Sequence, residues 1–163
     1  MNQKMTPMEL REEIIDFLKE HKDASLATCL NNVPRSSPVQ YFLGDDLEIY
    51  ILSAGGSKFE ALQKNPNACL LVHTEYHSYR RIKGVQVFGK AVTSLENPHL
   101  FDEAKRFSPD PHLMEAEREN LKVIKIIPDE IVYLNSLEDG DRTKQILRNN
   151  QVIVREDRIP VLM

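Results

Sequence analysis

The feature that most constrains this chain is a change of hydrophobic period near residue 22. Before it, Leu10, Ile14, Phe17 and Leu18 recur at helical spacing. Thr6, Pro7 and Glu9 supply an N-cap, a first-turn proline and the acidic end of a capping box, so a helix begins there. After it the period drops to two. Residues 25–30, 35–43 and 47–52 read as three short strands, separated by turn chemistry at Asn31, Asn32, Val33 and Pro34 and again at Gly44, Asp45 and Asp46. Tight turns between successive strands make an antiparallel meander rather than a parallel unit with crossover helices. Pro38, inside the second strand, cannot donate to a ladder, so it marks an edge or a bulge where something other than a strand can use the backbone.

The later pattern extends the same theme. A short helix carrying Phe59 and Leu62 ends at Asn65, Pro66 and Asn67. Residues 68–74 form a fourth strand, residues 75–81 a polar loop, and residues 82–95 a long strand with Gly84 and Gly89 as expected irregularities. Helices are expected over 97–107 and 112–120, and two further strands over 121–127 and 131–135, around Pro128 and Asp129. Residues 136–163 are weakly patterned. Six or seven strands with short connections and a few helices imply a mainly β chain, a small antiparallel barrel with peripheral helices. A chain of 163 residues is the size of one domain.

Charge and cysteine content narrow the function. With 21 basic and 25 acidic side chains the net charge is −4, which argues against a dedicated nucleic-acid binder. Cys29 and Cys69 form neither a CxxC nor a zinc-type spacing, and each sits in an apolar strand, so both read as small hydrophobes. No apolar run approaches the roughly 18 residues of a membrane span. The first eight residues lack the apolar centre of a secretory signal, so a cytoplasmic address is expected.

Two clusters carry chemistry. Gly55, Gly56, Ser57 and Lys58 stand at a helix start, where free amides, a hydroxyl and an ammonium suit a phosphate; a plain helix cap by Ser57 is the alternative. Arg35, Ser36, Ser37 and Pro38 place a guanidinium and two hydroxyls beside the ladder-breaking proline, and Ser53 can join either cluster. Neither the triphosphatase loop nor the dinucleotide fingerprint is present. His73 and His77 flank a strand end, where their spacing forms no metal pair, and no metal site is expected. No nucleophile elbow or serine–lysine pair occurs, so no catalytic residue is assigned and redox chemistry would come from a bound cofactor.

These signals fall in one order. An arginine-led strand follows a hairpin, then come I-Y-x-x-S, S-K-x-x-x-L-x-x-N-P and G-V-Q-x-x-G, the last within KGVQVFGKAVTSL. In that order the chain resembles the pyridoxamine 5′-phosphate oxidase-like flavin-binding split-barrel proteins, closely over residues 24–95 and more loosely to residue 137. The resemblance implies an FMN-binding split-barrel domain over residues 1–137, with its N-terminal helix, and a tail of unassigned role over 138–163. It implies a homodimer with FMN in the cleft between the chains. Arg35, Ser36, Ser37 and Pro38 would line the flavin ring and ribityl chain, Ser53 would bond the ribityl–phosphate region, and Ser57 and Lys58 would hold the phosphate. Gly84, Val85 and Gln86 would approach from a neighbouring strand, of this chain or of its partner. The chain has no tryptophan and lacks the C-terminal substrate constellation of the pyridoxal-phosphate-forming oxidase, so a different small-molecule substrate is implied. Arg80, Arg81 and Lys83 would receive an anion or form a solvated loop. The implied activity is an FMN-dependent oxidoreductase. Haem binding or degradation, deazaflavin as the cofactor, and a non-catalytic flavin module are the alternatives.

Overall fold

The computed structural model describes residues 3–157. Helix α1 (Pro7–Glu20) opens with the expected capping box: the Glu9 amide donates to Thr6 Oγ1 while the Glu9 carboxylate accepts from the Thr6 amide. Its buried stripe is Leu10, Ile14, Phe17 and Leu18. Each of these side chains contributes about 1.5–3 kcal/mol by leaving water.

Strands β1 (Asp23–Leu30), β2 (Val33–Leu43) and β3 (Ile49–Ser53) form the meander. Helix α2 (Ser57–Lys64) leads into β4 (Asn67–His73) and the long β5 (Lys83–Thr93). Two six-residue helices follow, α3 (Leu100–Lys105) and α4 (Pro111–Ala116), both shorter than their sequence pattern suggests. Strand β6 (Lys122–Asn135) precedes a hairpin of β7 (Lys144–Arg148) and β8 (Gln151–Arg155). All pairings are antiparallel, in the order β3-β2-β1-β4-β5-β6-β7-β8, and β3 also pairs β6. That extra pairing closes six strands into a barrel.

The barrel is split within β6. Strand β5 lines one edge of β6 along its length. On the other edge, residues 122–126 pair with β3 and residues 130–134 pair with β7. Pro128 lies between these partners, opposite the bulge at Phe88 and Gly89, so its missing N–H breaks no ladder bond. The expected break into two strands is therefore one continuous strand. Of the two expected glycine irregularities, only Gly89 interrupts the register; Gly84 pairs regularly on both sides.

The interior core joins α1 to inward residues of every barrel strand, among them Leu26, Val39, Ile51, Leu70, Val87 and Ile124. A second cluster packs Tyr50 and Val123 against α3 and α4. Residues 136–163, read as weakly patterned, hold the β7–β8 hairpin in the same sheet; residues 158–163 of that tail lie outside the described residues.

Candidate functional site

The site begins where β2 loses a partner. Strand β3 pairs β2 only from Gln40 to Leu43, so on that side residues 33–39 have no strand opposite them. Pro38 thus lies on an edge, as its missing N–H requires. Opposite it in β1 stands Ser25, with no register shift. Alternation divides this segment. Arg35 and Ser37 face the side shared with Thr28 and the core residue Leu26, while Ser36 and Pro38 take the outer side with Ala27 and Ser25. Pro38 and Ser53 line one hollow of about 310 Å³ with Val39, Gln40 and Leu52.

Beyond Ser53 the chain turns through Gly55 (φ +144°) and Gly56 (φ +112°), conformations that side-chain-bearing residues rarely adopt. The turn is held by Ser53, whose Oγ donates to the Gly55 carbonyl at 3.1 Å. Gly56 is the residue before α2, and no side chain caps the helix. Ser57 is therefore not the cap. Its Oγ accepts from Arg35 Nη1 at 3.3 Å, which joins the two sequence clusters across the notch. Lys58 Nζ donates to the Gly55 carbonyl at 2.8 Å. The arrangement combines uncapped helix amides, a hydroxyl and two cations around a side-chain-free turn.

Lys122 belongs to the same turn, and sequence reasoning missed it. It is opposite Ser53 in the β3–β6 pairing, and its Nζ donates to the Ala54 carbonyl at 3.0 Å. The ammonium lies 3.8 Å from where a Cβ on Gly55 would stand. These donors fit a phosphate monoester such as the end of FMN.

Gly84, Val85 and Gln86 are placed elsewhere. Register carries one row of the outer face from Pro38 through Ser25 and Leu71 to Gln86, then on to Val132 and Ile146. Three strand spacings put Gln86 about 14 Å from Pro38. Gly84 and Gln86 line a separate cavity of about 390 Å³. The Val85 side chain is buried in the core at 1% exposure.

Other candidates are engaged. Arg80 pairs with Asp157, Arg81 donates to the Leu137 carbonyl, and the Lys83 ammonium lies over the Phe17 and Tyr133 rings. Cys29 and Cys69 are half-buried, and burial pushes the Cys69 thiol up, away from a reactive thiolate. Among the described residues no three His, Cys, Asp or Glu side chains group as metal ligands, and no helix is long and apolar enough to cross a membrane.

The closed six-strand ring with its split sixth strand is a split barrel. Residues 10–135 match the sequence model of the pyridoxamine 5′-phosphate oxidase family, and the chain belongs to that family. The match runs from within α1 to the end of β6, leaving the β7–β8 hairpin outside it. The chain is 27% identical over 140 residues to general stress protein 26 of Bacillus subtilis, covering 85% of this chain and 96% of that one. The crystal structure of general stress protein 26 from Bacillus anthracis is similar with a TM-score of 0.55 at 26% identity, covering 77% and 94% of the two chains. A FAD-binding protein of Mesorhizobium loti shares the fold with a TM-score of 0.58 at 18% identity, covering 79% and 92%.

Proposed function

We propose that this chain binds FMN and serves, as a homodimer, as a flavin-dependent oxidoreductase of a small molecule. The observation that carries the reading is the Arg35–Ser57 contact, which closes the free edge of β2 onto the double-glycine start of α2. Family membership and the FAD-binding relative support a flavin as the ligand.

Ser57, Lys58, Arg35 and Lys122 would hold the phosphate, with the first amides of α2 adding the positive end of the helix. Ser53 stands where a ribityl hydroxyl would follow, and the unpaired edge around Pro38 offers backbone groups to the ring. Bound flavin supplies hydride or electron transfer; the protein supplies binding, orientation and exclusion of water. Gly84 and Gln86, across the sheet from the notch, would then serve the flavin of the partner chain. In this reading the residues held within one chain form the phosphate half, and a second copy would supply the other half. Free thiols at Cys29 and Cys69 suit the reducing cytoplasm.

Sedimentation and FMN titration on one sample test this reading. A dimer that quenches one FMN per chain is expected. A protein that binds FMN as a monomer would refute the shared site, and one that binds none would refute the function.

A further inference from the structure

The cavity over β5, β6 and β7 has an apolar floor and a basic rim. Leu71, Ile82, Val132 and Leu134 line it, and the half-buried side chains of Arg142 and Lys144 reach it from the C-terminal segment. Its volume of about 390 Å³ lies within the range of small-molecule sites. Tyr76, 58% exposed, stands at its mouth and also lines the next hollow with Arg142 and Tyr79.

The charges here are arranged at a cost. Lys144 and Arg155 are directly opposite in the β7–β8 register, and like charges at such a position destabilise a sheet. Among the described residues no carboxylate lies within ion-pair distance of Arg142, Lys144 or Arg155. Two of the nearby acids, Asp157 and Asp141, accept hydrogen bonds from other groups. Asp157 accepts from Arg80 and from the Arg142 amide, Asp141 accepts from Thr143, and Glu156 shares a hollow with Arg142, Lys144 and Arg155 without forming an ion pair to them. Lys144, with no ion-pair partner among the described residues, sets a cation beside an apolar cavity, a combination that suits an anion with an apolar body.

We propose that this cavity binds a small carboxylate, its apolar body on Leu71, Val132 and Leu134 and its oxygens on Lys144 and Arg142. A carboxylate suits it better than a phosphate, because no helix start or glycine turn opens into the cavity, unlike the notch at α2. Both cations lie beyond residues 10–135, the span that matches the family model. Gly84 and Gln86 line the same cavity, so its role as a substrate site rests on the reading above: the carboxylate would lie beside the flavin that those residues serve.

Calorimetric titration with benzoate, and with benzamide as its uncharged counterpart, tests the subsite on protein with and without FMN. Benzoate is expected to bind at millimolar concentration or below, with benzamide weaker by about tenfold or more. Lys144→Ala and Arg142→Ala should each weaken benzoate by about tenfold. Lys144→Arg should restore it. Lys144→Ala should also keep or raise the melting temperature, since it relieves the repulsion with Arg155, and should leave FMN retention unchanged. Equal binding of benzoate and benzamide, or indifference to both alanine variants, overturns the subsite while FMN retention leaves the flavin reading standing. Lys144-dependent benzoate binding by a protein that takes up no FMN upholds the subsite and removes the flavin reading alone.

Discussion

Replacing Lys58 by alanine tests the proposed phosphate cradle apart from the rest of the ligand. The ammonium is half-buried and lies within 2.8 Å of the Gly55 carbonyl, at the mouth of α2. A charge-assisted hydrogen bond to an anion contributes about 1.5–3 kcal/mol. Its loss therefore weakens FMN by about tenfold to a hundredfold. Arg35 and Lys122 remain to share the charge, which favours the lower part of that range. The turn itself should survive, because the Ser53 hydroxyl also donates to the Gly55 carbonyl. Riboflavin, which has the ring and ribityl chain but no phosphate, is the control. Fluorescence titration of both ligands into parent and variant protein measures the difference. The expected result is a large loss for FMN and a change within about twofold for riboflavin. Equal losses for both ligands, or no loss for either, would refute the assignment of Lys58 to phosphate.

Two further predictions concern the frame that holds the site. A methyl group on Gly89 would overlap the Ile127 carbonyl across the bulge, so Gly89→Ala should cost about 1–3 kcal/mol and lower the thermal midpoint by several degrees, read by circular dichroism. Glu103 accepts from Lys125 at 2.8 Å and from the Tyr50 hydroxyl at 2.6 Å, and these bonds hold its carboxyl below the ordinary value of 4.5. Its folded value is depressed, so its contribution to stability is complete above the unfolded value and fades as pH falls through the folded one. Denaturant midpoints should therefore fall below the ordinary carboxylate range, and Glu103→Gln should flatten that fall; an unchanged slope would show that the pair contributes nothing.

Much of the fold was legible because its signals are local. The capping box of α1, the turn at Asn31 and Asn32, and the proline that marks the free edge of β2 each act within a few residues. The turn before α2 was legible for the same reason: two adjacent glycines supply two positive φ angles. The β7–β8 hairpin carried a signal that was overlooked. Asn149 and Asn150 have φ of 51° and 57°, the same paired left-handed turn as Asn31 and Asn32 at 52° and 63°. What was illegible depends on pairing between distant strands. Pro128 reads as a strand break until β6 is seen to change partners there. Lys122 reads as an ordinary strand residue until β3 pairs with β6 and brings it beside Ala54. The 14 Å between Pro38 and Gln86 follows from strand register, which no local pattern in the sequence announces.

The central claim is that the notch between β2 and α2 holds FMN. Its most direct test is the visible absorption spectrum of the purified protein, after incubation with FMN and removal of excess, with the released chromophore identified by mass. Flavin bands and FMN released at one per chain are the predicted result. A colourless protein, or a Soret band with haem released, would contradict it.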